Sequence, residues 1–322
     1  MALESTRDAY GSALVELARQ DKRVVALECD LGRSTRSHRI TEVDPARFIE
    51  MGIAEQDMIS TAAGMASMGK IPFVNSFAIF LTGRAFDQIR QQISLPCANV
   101  KLCGSSAGLT EGPDGATHQA VLDAGLMRLL PNMVVVVPAD GPQTRAAVRA
   151  LHAHPGPAYL RLSRYETGDI LPAGAPFELG KALTIREGKD VVIASCGPLL
   201  KNVLKAVELL EKAQIRAGVV NFHTLKPFDL AAARALMQRY ACIVSVEEHS
   251  IYGGLGSALA EAIAEEAGPN PLPRLTRLGV QDTFGESGNA DQLLGKHGLH
   301  PEGIADGVQK ALESSHIRRR QF

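Results

Sequence analysis

The sequence lacks the features by which membrane-spanning, secreted and nucleic-acid-binding proteins are usually recognised. No stretch approaches the roughly 18 consecutive apolar residues of a membrane helix, and Met1 to Asp8 contain no apolar signal-peptide core. The 34 basic and 35 acidic side chains leave a net charge of -1, so no overall field attracts nucleic acid or anionic membrane. The local basic tip Arg318 to Arg320 is predicted to be a frayed end. We therefore expect neither nucleic acid nor a membrane among the partners.

Cysteine and aromatic residues are also scarce. The five cysteines are dispersed without metal-ligand spacing, at positions 29, 97, 103, 196 and 242. An odd, dispersed set inside apolar segments is typical of reduced thiols, so it predicts a cytoplasmic protein with no metal ligands of its own. There is no tryptophan, and aromatic residues make up 5% of the chain. A local cluster of aromatic residues is therefore informative.

The chain contains enough apolar residues for two α/β domains. Hydrophobic residues make up 45% of its 322 residues, and short apolar strands alternate with helical patterns. This alternation predicts parallel sheets covered by helices on both faces, that is, two three-layer α/β/α domains. The Pro-rich and Gly-rich stretch from Pro172 to Pro176 is the strongest break. We predict a first domain over residues 1–172, a linker over 173–189 and a second domain over 190–322.

The first domain is organised around Glu55. A short apolar run, residues 48–53, is interrupted by Gly52, and a second run of small and apolar residues covers 59–69. The pattern predicts a strand, a turn at Gly52 and a buried helix with Glu55 in its first turn, where the helix dipole favours a carboxylate. Such a carboxyl group is suited to share a proton with a ring nitrogen. The alternative is an ordinary glutamate on a solvated surface.

Two aromatic residues follow the next predicted strand. Phe77 and Phe80 lie three residues apart directly after the strand that ends at Ser76, and a helix is predicted over residues 84–93. Phenylalanines in such a position are usually part of the core. They are equally able to form a wall against a flat heterocycle.

A loop and a strand end carry further polar candidates. Turn residues place Asp114 and His118 on one loop, and histidine is the side chain that titrates nearest neutral pH. Arg164 stands where a strand ends, a position suited to a bidentate contact with an anion. For both groups the alternative is an ordinary surface residue.

Together these segments resemble the transketolase family, over a region that corresponds to its C-terminal part. The resemblance covers the pyrimidine-binding domain, here residues 1–172, and the smaller C-terminal domain, here residues 190–322. The matching segments are Gly52–Gln56, Phe77–Phe80, Arg84–Gln88, Asp114–Gln119, Ser163–Arg164, Phe222–Asp229 and Glu247–Gly256.

The resemblance implies a thiamine-diphosphate enzyme that transfers a two-carbon ketol unit from a ketose to an aldose. In this family the cofactor stabilises a carbanion, while the protein supplies orientation and a proton relay. By resemblance, Glu55 would hydrogen-bond the aminopyrimidine ring and Phe77 with Phe80 would flank it. The remaining implied roles are His118 in catalysis and sugar binding, Asp114 in sugar binding, Arg164 on a sugar phosphate, and Asp30 in the cofactor cleft.

The resemblance also implies a partner. Transketolases hold Mg2+ and the diphosphate through a Gly-Asp-Gly segment and an Asn that this sequence does not contain. We therefore expect the metal and the diphosphate to be held mainly by an N-terminal partner subunit, in an assembly with a homodimer core and two copies of each chain. Two departures leave the substrate open: Gly104 and Ser105 replace a His and an Asp, and Gly83 resembles an insertion.

Three alternatives are also compatible with the sequence. The β subunit of a 2-oxoacid dehydrogenase shares the Gly52–Gln56 element, although the loop from Asp114 to Gln119 suits a polyhydroxylated substrate better. Half of a 1-deoxyxylulose-phosphate synthase would bind its phosphosugar with similar residues. A degenerate, non-catalytic scaffold subunit is the third, and the joint presence of Glu55 and His118 argues against it.

Overall fold

The computed structural model describes residues 3–266 and 271–319, with side chains as far as residue 314. The arginine tip predicted at residues 318–320 lies outside the described side chains. The first half contains the strands β1 Glu4–Ser5, β2 Val24–Glu28, β3 Phe48–Glu50, β4 Ile71–Phe77, β5 Lys101–Ser105, β6 Val134–Val136, β7 Ala158–Arg161 and β8 Glu166–Thr167. Its α-helices are α1 Thr6–Gln20, α2 Gly32–Thr35, α3 Glu55–Ser67, α4 Phe86–Gln88, α5 Asp123–Leu129 and α6 Gly141–Ala153.

The second half continues the alternation of strands and helices. Its strands are β9 Leu183–Arg186, β10 Val191–Ser195, β11 Ala217–Asn221, β12 Thr224–Lys226, β13 Cys242–Ser250 and β14 Arg274–Val280. Its helices are α7 Leu200–Lys212, α8 Leu230–Arg239, α9 Leu255–Glu265, α10 Ala290–Lys296 and α11 Pro301–Arg319. Short 3-10 turns cover Ser37–Glu42, Pro45–Arg47 and Leu109–Asp114, and π-helical turns cover Phe80–Arg84 and Ile89–Ser94.

The first sheet has seven strands in the order β12-β6-β7-β5-β4-β2-β3, and six of them run parallel. Every residue of β2, β4, β5, β6 and β7 is buried, as expected for a parallel sheet with helices on both faces. The carboxyl ends of these strands meet at one edge of the sheet. Ligands of open α/β sheets bind at this edge.

The second sheet has five strands in the order β14-β13-β10-β11-β9. Three of its four strand pairings are parallel, and the fourth joins β9 antiparallel to β11 at the edge. Because β9 covers Leu183–Arg186, the segment predicted as a linker, residues 173–189, contains one strand of this sheet. The predicted α/β architecture is confirmed in both halves.

The two halves share one sheet and one core. Strand β12 belongs to the second half of the sequence, yet it pairs antiparallel with β6 of the first sheet. One continuous hydrophobic cluster includes Val135 beside β12, Phe222 before it and Ile243 in the second sheet. The halves are therefore packed against each other through buried apolar side chains rather than through a loose tether.

Several elements follow directly from the sequence pattern, but the predicted start of one helix was wrong. Helix α1 begins and ends as predicted, because Ser5 accepts a hydrogen bond from Asp8 N at the start of the helix. The helix predicted over residues 84–93 starts earlier, at Phe80, and includes two π-helical turns. Its periodicity differs from 3.6 residues, so a pattern read at α-helical spacing misplaces its start.

No helix within the described residues is long and apolar enough to cross a membrane. The five cysteines are all free, and only Cys97 is exposed.

Candidate active site

Glu55 is a buried carboxyl group at the first turn of α3. Gly52, with φ at 71°, turns the chain out of β3, and the helix starts three residues later. Ser76 Oγ donates a hydrogen bond to Glu55 Oε1 at 3.2 Å, and Arg84 Nη1 donates to Oε2 at 2.7 Å. The Glu55 side chain is 1% exposed, so the alternative of a solvated surface glutamate is wrong. A carboxylate can accept about four hydrogen bonds, so acceptor capacity remains for a ligand.

Arg84 connects Glu55 to the aromatic residues. Its side chain is 47% exposed, and its guanidinium lies 5.0 Å from the centre of the Phe80 ring. Its carbonyl oxygen accepts a hydrogen bond from Gln56 Nε2 at 3.1 Å. The π-helical turn over Phe80–Arg84 contains Gly83, which faces open space. A π turn holds one residue more than an α turn, which is how an extra residue fits into a helix.

Phe77, Phe80 and His118 form one aromatic group at the carboxyl end of β4. The rings of Phe77 and Phe80 stack with their centres 6.0 Å apart. The imidazole of His118 meets both rings edge-on, at 6.1 Å from Phe77 and 5.1 Å from Phe80. Phe77 is buried, whereas Phe80 and His118 are half-buried. The structure therefore brings three predicted site residues together, and Arg84 links this group to Glu55.

Arg164 pairs with carboxylates of the loop that carries His118. Its Nη1 lies 2.7 Å from Glu111 Oε1 and 3.7 Å from Asp114 Oδ2. Glu111 is fully buried, while Arg164 and Asp114 are partly exposed. Burial and the nearby Asp114 raise the pKa of Glu111 to about 7, against the opposing charge of Arg164. The bond with Glu111 and the charges of Arg164 and His118 lower the pKa of Asp114.

Arg7 was not found from the sequence, although the structure places it near Arg164. Its Nη1 donates to Ser34 O at 3.0 Å, and its pKa is lowered by burial and by the charges of Arg36 and Arg164. Arg36 Nε in turn contacts Asp8 Oδ1 at 2.5 Å. A basic residue in the first turn of a helix opposes the helix dipole, and this is the one signal that the sequence offers for Arg7.

Asp30 stands at the rim of the same sheet edge. It follows β2 directly, is exposed and has a left-handed backbone with φ at 61°. Its backbone N donates to Glu50 Oε1 at 2.7 Å, which ties it to the turn before Glu55. The role of Asp30 in a cofactor cleft stays a prediction, because its side chain is exposed.

Packing explains one of the two departures noted in the sequence. A side chain at Gly104 would place its Cβ 2.3 Å from the hydroxyl of Tyr159. Tyr159 is buried and donates a hydrogen bond to Asp123 Oδ2 at 2.6 Å. The space that a side chain at Gly104 would need is therefore occupied by Tyr159.

The site fits the aminopyrimidine half of the cofactor implied by the resemblance. A buried carboxyl acceptor is linked through Arg84 to aromatic rings at a ligand-binding edge of the sheet, a set of groups that suits a flat heterocycle with ring nitrogens. Among the side chains described up to residue 314, no three His, Cys, Asp or Glu groups are placed to hold a metal ion.

Two protein-family models match the chain. The model described as "Transketolase, pyrimidine binding domain" covers residues 4–168, and "Transketolase, C-terminal domain" covers residues 180–304. The chain is 40% identical over 309 residues to a "Putative transketolase C-terminal section" of Methanocaldococcus jannaschii, covering 95% of this chain and 96% of that protein. It is 41% identical over 312 residues to a "6-deoxy-6-sulfo-D-fructose transketolase subunit SqwH" of a Clostridium species, covering 97% and 96%.

A solved structure is similar over nearly the whole chain. It is described as "Split gene transketolase, inactive beta4 tetramer" and superposes with a TM-score of 0.87 at 43% identity. The match covers 96% of this chain and 98% of that chain.

Proposed function

The chain belongs to the transketolase family, and we propose that it is the C-terminal subunit of a split, thiamine-diphosphate-dependent transketolase. With its partner it would transfer a two-carbon ketol unit from a ketose to an aldose. The observation that carries this proposal is the buried Glu55 carboxyl, which pairs with an arginine that lies over the ring of Phe80, itself stacked on Phe77. The relatives that support the split organisation are matched over nearly their full length and are themselves named as a section or a subunit.

Glu55 would hold a ring nitrogen of the aminopyrimidine. Its carboxyl has free acceptor capacity, and burial in a low-dielectric site strengthens a charge-assisted hydrogen bond. The bound cofactor supplies carbanion stabilisation, and this chain supplies the orientation of the ring. The Arg84 guanidinium keeps Glu55 paired until a ligand shares the carboxyl, and Phe77 with Phe80 would exclude water from one face of the ring.

His118 and Asp114 would contact hydroxyl groups of the sugar. His118 lies against the edges of Phe77 and Phe80, so a substrate bound beside the ring would meet its imidazole. An imidazole there can donate or accept a proton at a sugar oxygen. Arg164 and Arg7 would face the far end of the sugar, where an anionic group suits two guanidinium groups.

The partner would supply the part of the site that this chain does not. A diphosphate carries several negative charges and needs a metal or a helix N-terminus arranged for it. We propose an N-terminal transketolase subunit that holds Mg2+ and the diphosphate, in an assembly of two copies of each chain around a homodimer of this one. The similar split-gene transketolase, described as an "inactive beta4 tetramer", supports the need for a partner.

The other interpretations of the sequence are less well supported. The family models and the named relatives favour a transketolase over a 2-oxoacid dehydrogenase subunit or a deoxyxylulose-phosphate synthase half. A degenerate scaffold would not need a buried carboxyl paired with Ser76 and Arg84 at a ligand-binding edge.

Calorimetry with and without the partner tests the proposal. The purified chain is titrated with thiamine diphosphate and Mg2+, alone and after reconstitution with the candidate N-terminal subunit. We expect cofactor binding and ketol transfer only in the reconstituted protein, and tighter subunit association when cofactor is present, because a ligand that contacts both chains stabilises the complex. Micromolar cofactor binding with transfer activity in the chain alone would contradict the proposal.

A further inference from the structure

Six charged side chains lie together where the proposed function places the far end of the sugar. This charge cluster consists of Arg7, Arg36, Arg164, Asp8, Glu111 and Asp114. It contains three guanidinium groups and three carboxyl groups. When all three carboxyl groups are ionised, the cluster has no net charge. When any one of them is protonated, the cluster has a net charge of about +1.

Glu111 differs from the other two carboxyl groups of the cluster. It is fully buried, whereas the side chains of Asp8 and Asp114 are 34% and 42% exposed. Water therefore screens the charges of Asp8 and Asp114 but not that of Glu111. The buried carboxyl also makes the shortest contact to Arg164, at 2.7 Å from Nη1. Among the three, Glu111 has the greatest influence on the field at Arg164.

An anion that binds Arg164 must share the guanidinium with Glu111. A phosphate carries about 1.5 to 2 negative charges near pH 7, whereas a sulfonate carries one and a hydroxyl carries none. Burial raises the pKa of Glu111 to about 7, so near neutral pH part of the Glu111 population is ionised. Repulsion by this unscreened carboxylate increases with the charge of the incoming group. The pairing of Glu111 with Arg164 therefore works against a phosphate more than against a sulfonate, and does not affect a hydroxyl.

We propose that Glu111 is a specificity-determining residue that acts through Arg164 and disfavours ketoses with a terminal phosphate relative to those with a singly charged or uncharged terminus. This inference rests on the proposed function, because it requires the sugar terminus to reach Arg164. Glu111 is buried and does not touch the substrate, so it is a positioning residue. Its effect is on the charge that Arg164 presents.

The test uses three ketoses that differ only at carbon 6. D-Fructose 6-phosphate, 6-deoxy-6-sulfo-D-fructose and D-fructose are assayed as donors with the enzyme reconstituted from both subunits and cofactor. We expect Glu111→Gln to raise kcat/KM about tenfold for the phosphate, about threefold for the sulfonate and by less than about twofold for fructose. The gain should come from a lower KM at nearly constant kcat, which loss of a purely structural contact would not produce.

Two further variants make the result decisive. Glu166→Gln removes one negative charge from an exposed side chain two residues from Arg164, and it should leave the order of the three donors unchanged. Glu111→Met removes the same charge with an apolar side chain suited to a buried position, and it should reproduce the shift toward phosphate. Equal changes for all three donors, a lower preference for phosphate, or failure of both Glu111 variants to fold would overturn the inference. A wild-type enzyme that uses none of the three ketoses would contradict the proposed function instead, and this inference with it.

Discussion

Glu55→Gln removes one negative charge from the buried carboxyl of the candidate site and preserves the size of the side chain. One oxygen still accepts a hydrogen bond from Ser76 or Arg84. Arg84 loses its charged partner, but its side chain is 47% exposed and becomes hydrated. We therefore expect the free energy of unfolding to change by only about 1 kcal/mol. A loss of activity in this variant would therefore not be explained by loss of folding.

The expected effect on the cofactor is larger. A hydrogen bond with an ionised partner contributes about 1.5–3 kcal/mol, and Glu55 is 1% exposed, so water does not replace it. Losing that amount slows the step that depends on it by about 10-fold to 150-fold. In the proposed enzyme this step would be removal of the thiazolium proton of the cofactor, and turnover should fall as well.

Deuterium exchange followed by NMR measures this step directly. Wild type, Glu55→Gln and Asp57→Asn are each reconstituted with the partner and cofactor, and the loss of the thiazolium proton signal is timed. Asp57 is exposed in the same helical turn, so its variant controls for a change of one charge at the start of α3. Exchange in Glu55→Gln at the wild-type rate would refute the role given to Glu55.

Three further variants test other parts of the structure. Arg164→Ala should raise the KM for a phosphosugar more than for its unphosphorylated analogue, by the loss of about 1.5–3 kcal/mol of binding; equal effects on both would make Arg164 structural. Burial raises the pKa of Glu28 to about 7, so the folded state binds more protons than the unfolded state between pH of about 4.5 and 7. This carboxyl therefore reduces stability as pH rises through that range, by about 3 kcal/mol in full, and urea melts of Glu28→Gln should lose that part of the pH dependence. Gly104→Ala should lower the free energy of unfolding by about 1–3 kcal/mol, because its Cβ would collide with the buried Tyr159, and unchanged urea melts would contradict this packing.

The sequence alone predicted the elements whose signals are local. The turn at Gly52 and the helix that starts at Glu55 follow from one glycine and one run of small apolar residues. Arg164 and His118 could be located because strand ends and turn residues are visible in the pattern. Their neighbourhood in space follows from the parallel order of the strands, which the alternation of elements also predicts.

The residues that the sequence did not reveal act through contacts between distant segments. Glu111 lies 53 residues from Arg164 along the chain, and it belonged to no motif that the pattern singled out. Arg84 was predicted as part of a helix and of a matching segment but not as the partner of Glu55, because the π-helical turn that aims it at Glu55 has no signal at α-helical spacing. Strand β12 was missed because it is three residues long and pairs with the other half of the chain.

That short strand has a consequence for any attempt to dissect the protein. A fragment that stops at residue 172 lacks β12 and leaves the backbone amides and carbonyls of Val134–Val136 uncapped at the margin of the first sheet. An unpaired edge strand of three valines can form backbone hydrogen bonds with a strand of another chain, so the fragment should self-associate rather than fold as an independent monomer. Shuffling experiments that graft the first half onto another protein therefore need to carry Thr224–Lys226, or a substitute for it, as part of the graft.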